Sequence, residues 1–155
     1  SSPQFADTTS VAVIGKNSEQ IADEIKIRTF ALGTISGSHA MAAAYNTADV
    51  FVLPSLEDNL PNTIMESMAC GVPCVGFRVG GIPEMIDHRR NGYIANFKDT
   101  ADLAAGISWV LTEADHDSLS HEARNKVLHC YSQQSVAAQY IEVYNEMIAQ
   151  KTYRI

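Results

Sequence analysis

The chain is short of the features that mark special classes of protein. Three cysteines, Cys70, Cys74 and Cys130, stand among 155 residues. An odd number without a two-residue spacing builds neither a disulfide framework nor a structural zinc site, and the expected compartment is reduced and cytoplasmic. Positive charge is scarce: 11 Lys and Arg face 18 Asp and Glu, a formal net charge of −7, which argues against nucleic-acid binding as the main role. No apolar run approaches the roughly 20 residues of a membrane span. Ser1 to Asp7 has neither the basic nor the apolar region of a signal peptide. The five histidines show no metal-ligand spacing, and internal repeats, low-complexity tracts and interdomain linkers are lacking. Only 19% of residues are charged while 46% are hydrophobic, so the chain is expected to fold around one core.

What is there alternates between strand-like and helix-like segments. Residues 1–10 are a polar lead, expected to be disordered. Val11–Ile14 is a short apolar, β-branched run closed by Gly15. Ser18 to Ile25 has helical spacing, Lys26 to Leu32 is β-prone and ends at Gly33, and His39 to Asn46 is an alanine-rich helix candidate. Val50–Leu53 is a strand stopped by Pro54. Asn62 to Cys70 reads as a helix ended by Gly71 and Pro73, and Val72 to Phe77 as the next strand. A short helix is expected around Pro83 to Ile86 and a last strand at Tyr93 to Ala95. Beyond Lys98 the pattern is helical only. Leu103, Ile107, Val110 and Leu111 share one face, as do Val136, Ala137, Tyr140, Ile141, Tyr144, Met147 and Ile148, for which core packing is expected; Ser132 is the expected N-cap of that last helix. Repeated β–α units imply one α/β domain: a doubly wound, Rossmann-like parallel sheet with helices on both faces and a helical C-terminal end.

In such sheets ligands bind beyond the carboxyl ends of the strands. That rule selects Gly33-Thr34-Ile35-Ser36-Gly37, the stretch Pro54 to Asn62, and Gly80-Gly81. The middle stretch sets Glu57, Asp58, Asn59 and Asn62 in a polar turn, with Glu66 one turn into the next helix. Asp58 and Glu66, seven residues between them, can point into one crevice. A carboxylate accepts two hydrogen bonds side by side and so suits a vicinal diol. Backbone N–H groups at residues 60–64, unpaired at a helix start, suit a diphosphate. Together they describe a nucleotide-sugar site. From spacing alone a plainer arrangement is the commoner one, with Asp58 and Asn59 capping the helix and Glu66 solvated.

Three strings carry a family resemblance: Asn46-Thr-Ala-Asp-Val-Phe-Val-Leu-Pro-Ser55, Asp58-Asn-Leu-Pro-Asn-Thr-Ile-Met-Glu-Ser-Met-Ala-Cys-Gly-Val-Pro-Cys-Val75 and Val79-Gly-Gly-Ile-Pro-Glu-Met-Ile86. They resemble the C-terminal, donor-binding half of GT-B glycosyltransferases of the large retaining group called family 4, or glycosyl transferases group 1. The resemblance runs from about Val11 to Ile148 and implies that residues 11–155 are a nucleotide-sugar-binding domain. The family's two acidic residues, with seven residues between them, match Asp58 and Glu66. The second implies a ribose contact for Glu66, and the first a donor-sugar contact for Asp58. The family's usual glutamate is here the shorter Asp58, with Glu57 beside it, so either can reach the sugar. The backbone of Asn59, Leu60, Pro61, Asn62 and Thr63 is implied near the diphosphate, the Gly33-Thr34-Ile35 loop near the base, and Gly80-Gly81 in a close-packed loop. The resemblance implies sugar transfer with retention from a nucleotide-diphosphate sugar to a glycan, lipid-linked or small-molecule acceptor. It implies no bound metal or other cofactor, no nucleic acid, and a cytoplasmic site that in a longer protein extends to the inner membrane face.

The family's diphosphate-binding arginine and lysine fall in a first β–α unit that would precede residue 1, as would the acceptor domain. The chain is therefore expected to be a fragment, inactive alone. A non-catalytic nucleotide-binding or interaction module on the same fold is the alternative. Asp115-His116-Asp117 has the form of a metal-binding triplet, but helical periodicity on its N-terminal side places it in a solvated loop between helices. Asp58 and Glu66 as a glycoside-hydrolase pair fit an open α/β sheet poorly. Cys70 and Cys74 read as core or shell cysteines, and His88-Arg89-Arg90 as a charged surface loop.

Overall fold

A computed structural model describes residues 8–152, so the expected lead at residues 1–10 lies mostly outside the described residues. The chain divides between Ala43 and Ala44 into two compact units. In the first, β1 (Val11–Ile14) and β2 (Thr29–Gly33) pair in parallel, Val11 opposite Thr29, with a register shift between Val13 and Ile14. Helix α1 (Ser18–Glu24) connects them, and its buried Ser18 hydroxyl accepts the Gly33 N–H at 3.0 Å. Helix α2 (Ser38–Tyr45) runs across the division.

The second unit holds a three-stranded parallel sheet in the order β3 (Phe51–Leu53), β4 (Cys74–Phe77), β5 (Gly92–Ala95). Every residue of β4 and β5 is buried, as expected for strands covered on both faces. Alternation along the strands divides the core in two. Cys74 and Ile94, with Phe51 and Leu53, pack with Ile64 and Met68 of α3 (Asn62–Ala69), with Ile82 and Met85 of α4 (Ile82–Met85), and with Ala123 and Val127 of α6 (His116–Cys130). Val75, Phe77, Tyr93 and Ala95 pack on the other side with Leu103, Ile107 and Val110 of α5 (Thr100–Thr112), and with Leu119 of α6. Helices therefore cover both faces of this sheet, the arrangement that the β–α alternation requires.

The helix ends follow their sequence signals. Helix α3 stops in a Schellman turn: Val72 N–H donates to Ser67 O (3.1 Å) and Gly71 N–H to Met68 O (2.9 Å), with Gly71 at φ 78°. Asp99 caps α5 through the N–H groups of Ala101 and Asp102. Asp115 caps α6 by accepting from Ser118 N–H, and His116 Nε2 lies 2.8 Å from Asp49 O. The Asp115-His116-Asp117 triplet is thus a helix start. Cys70, Cys74 and Cys130 are free thiols; burial pushes Cys74 up to about 12.

One expectation is corrected. Ser132 does cap α7 (Gln133–Thr152), its hydroxyl accepting Ser135 N–H at 3.2 Å. Beyond that first turn the apolar stripe is not core: Tyr140, Ile141, Tyr144, Met147 and Ile148 are 59–65% exposed. Helical periodicity marks an apolar face, but burial needs an element on its far side. Helix α7 touches α6 near its own start, where the Ser135 hydroxyl donates to Leu128 O, and then runs on past it. No described helix is long and apolar enough to cross a membrane.

Candidate functional site

Because β3 and β4 are parallel neighbours, the loops that leave their carboxyl ends emerge at the same edge of the sheet. The first, 54–61, carries Glu57, Asp58, Asn59 and Leu60 into the start of α3. Pro61 is the N-cap, extended at φ −68° and ψ 117°, and no side chain caps the helix. The plainer arrangement in which Asp58 or Asn59 serves as cap is therefore not adopted. Ile64 N–H turns back to Pro61 O (3.1 Å), which takes it out of the set expected to be unpaired and leaves the first-turn amides of Asn62 and Thr63 without a capping side chain. Asp58 is half-buried and Glu57 exposed, so the shorter acid is the one that the loop holds closer to the protein.

The second loop meets the first. Gly81 N–H donates to Asn59 O at 2.5 Å. A Cβ on Gly80, at φ 52°, would stand 1.6 Å from Asp58 O, and one on Gly81 would stand 2.2 Å from Asn59 O. No side chain fits in either place. The two glycines expected near a ligand thus have a task that the sequence left open: they let the turn after β4 press on the acidic loop after β3 and fix its backbone.

Glu66 lies on the exposed side of α3, while Ile64, Ser67 and Met68 face the core. Its Oε2 accepts a hydrogen bond from the Tyr45 hydroxyl at 3.3 Å. Tyr45, the last residue of α2, is 3% exposed and meets the Phe51 ring edge-on, centroids 5.5 Å apart. Burial, and then the nearby Glu66 charge, raise the Tyr45 pKa, which keeps the phenol a donor. Sequence reasoning missed Tyr45. The single bulky residue closing the run Met41-Ala-Ala-Ala-Tyr45 was the available signal, but 21 residues separate it from Glu66.

Gly33, Thr34 and Ile35 follow the carboxyl end of β2 in the first unit, where Gly33 takes φ 67° and its carbonyl accepts Gly15 N–H at 2.8 Å. His88-Arg89-Arg90 is engaged within the chain. His88 Nδ1 accepts Ile94 N–H (3.2 Å), the Arg89 guanidinium lies over Trp109 and Tyr93 (5.3 and 5.9 Å), and Arg90 Nε meets Glu122 Oε2 at 2.8 Å. Two clefts of about 360 Å³ flank this loop, one lined by Arg89, Trp109, Asp115 and Glu122, the other by Asp87, Arg90, Lys126 and His129. They lie where the chain enters β5, at the amino edge of the sheet, away from the acidic loop. Of their charged groups, Lys126 Nζ pairs with Asp87 at 3.0 Å and Arg90 with Glu122. Among the described residues no group of three or more His, Cys, Asp or Glu is placed to hold a metal ion.

The family described as glycosyl transferases group 1 has a model that matches residues 3–113. The chain belongs to that family. Among its relatives, N-acetyl-alpha-D-glucosaminyl L-malate synthase of Bacillus anthracis is 34% identical over 102 residues, 65% of this chain and 27% of that protein. Sucrose-phosphate synthase of Thermosynechococcus elongatus superposes with a TM-score of 0.70 at 25% identity, over 86% of this chain and 34% of its own. HepE of Anabaena, solved in complex with UDP-glucose, superposes with a TM-score of 0.76 at 18% identity, over 92% of this chain and 42% of its own, a likeness of fold. The chain spans about a quarter of the length of the first curated relatives it matches. Its fold is the C-terminal half of the GT-B architecture, as the sequence resemblance implied.

Proposed function

We propose that this chain is the donor-binding part of a retaining glycosyltransferase that takes a sugar from a nucleotide-diphosphate sugar. The observation that carries the proposal is the acid-flanked, uncapped start of α3. Asp58 precedes it, Glu66 follows one turn in, and no side chain caps the helix end. Glu66 accepts from the ribose hydroxyls, Asp58 or Glu57 from the hydroxyls of the donor sugar, and the stretch Asn59 to Thr63 faces the diphosphate with the N–H groups of its residues other than Pro61. As the bond between sugar and diphosphate breaks, positive charge develops on the sugar ring and negative charge on the leaving group. The chain's part is to hold the donor in place and stabilise that leaving group with oriented N–H dipoles. No bound metal or other cofactor takes part. The acceptor, a glycan, lipid-linked or small molecule, belongs to parts of the protein outside this quarter-length stretch. The reaction takes place in the cytoplasm, with the inner membrane face within reach of the whole enzyme. Support comes from the family membership and from the UDP-glucose that HepE binds.

The test is a thermal-shift comparison with UDP, GDP, ADP and their sugar conjugates. At ten times Kd, binding adds about 1.4 kcal/mol and raises the melting temperature by about 3–5 °C. One nucleotide is expected to give that shift, and Glu66→Ala to abolish it. Absence of any shift at millimolar ligand, or a shift that survives in Glu66→Ala, overturns the assignment.

A further inference from the structure

We infer that Tyr45 is a positioning residue for Glu66: its buried hydroxyl orients the carboxylate that receives the nucleotide ribose. The inference rests on the donor-site assignment above and deepens it. A glutamate on the outer side of a helix has three rotatable bonds and, left alone, spreads over many rotamers. A diol held by two parallel hydrogen bonds needs the carboxylate plane fixed before the ligand arrives, because any freedom still to be lost subtracts from affinity. Here one oxygen of an otherwise exposed carboxylate is tied to a group that is itself immobile. Tyr45 is 3% exposed, closes α2, and has its ring set edge-on against Phe51 of β3. The Tyr45 hydroxyl donates to Oε2. Oε1 and the second lone pair of Oε2 remain for ligand hydroxyls. The chain thus joins α2, β3 and α3 through one side chain, and the strand that launches the acidic loop also braces the acid on the helix after it.

Calorimetry with UDP, GDP and ADP, each against its 2′-deoxy counterpart, tests this on the wild type, Tyr45→Phe, Glu66→Ala and the double variant. Phenylalanine keeps the ring contact with Phe51 and removes only the hydroxyl, and a melt of each variant reports its folding. The expected result is that Tyr45→Phe weakens the nucleotide that binds by about 3- to 10-fold, the range for one lost hydrogen bond. Against the deoxy counterpart, which lacks the intact diol, or in the Glu66→Ala background, the same substitution is expected to cost less than about 2-fold, since Tyr45 acts only through the hold of Glu66 on that diol. A merely structural role for Tyr45 would weaken ribo and deoxy ligands equally, and that result overturns the inference. So does unchanged affinity in Tyr45→Phe while Glu66→Ala loses ribonucleotide binding, in which case the donor-site assignment stands. Ribonucleotide affinity unchanged by Glu66→Ala, or no binding of any of the three by the wild type, overturns the donor-site assignment and this inference with it.

Discussion

Helices α3 and α7 have the same kind of signature in the sequence, an apolar stripe at helical spacing, and opposite fates in the structure. Helix α3 has eight residues, and Ile64, Ser67 and Met68 on its inner side are fully buried between β3, β4 and α6. Helix α7 has twenty residues and leaves Tyr140, Ile141, Tyr144 and Met147 about as exposed as polar side chains usually are. The outer side of α3 carries Glu66, the proposed ribose contact. A stripe in the sequence therefore states that a helix has an apolar face. Only the topology states what, if anything, covers it, and the proposed site lies on the helix that the topology has pinned.

Substitutions sharpen this contrast. The largest effect is expected from Met68→Ala, which opens a cavity under α3 and costs about 2–5 kcal/mol in denaturant unfolding. A loss under 1 kcal/mol would mean that this helix is not held by its inner face. Next comes Gly81→Ala, which drives a methyl against Asn59 O and costs about 1–3 kcal/mol. Because the strain falls on the acidic loop, it is also expected to reduce the nucleotide-induced thermal shift at fixed ligand concentration; an intact shift would separate that loop from the site. The smallest effect is expected from Tyr144→Gln on α7, within about 0.5 kcal/mol of wild type. A loss comparable to that of Met68→Ala would show that the stripe is covered after all and break the comparison.

The sequence made the strands of the three-stranded sheet legible because Val50–Leu53 and Val72–Phe77 are apolar runs cut off by Pro54 and by the turn at Gly80-Gly81. It made the end of α3 legible because Gly71 supplies the left-handed residue that a Schellman turn needs. Helix α6 received no element of its own. Its inward residues Leu119, Ala123 and Val127 alternate with Ser, His, Asn and Lys, and an alanine at the centre of a stripe scarcely raises its hydrophobicity. In the candidate site, the acidic loop and Glu66 were legible as a pattern. The purpose of Gly80 and Gly81 was open between a ligand and a neighbouring loop until Asn59 was placed against them. Tyr45 stood out only as a bulky residue closing an alanine run, since nothing in the sequence couples the end of that helix to an acid 21 residues later. Contacts of that length belong to the tertiary fold, and local pattern does not carry them.

The burial of Cys74 makes the centre of the sheet a clock. Its thiol is fully enclosed on the middle strand, and with its pKa raised to about 12 it carries almost no thiolate at neutral pH. An alkylating reagent reaches it only when β4 parts from its neighbours, so the half-time of labelling at this one sulfur counts the openings of the sheet on which the site is built.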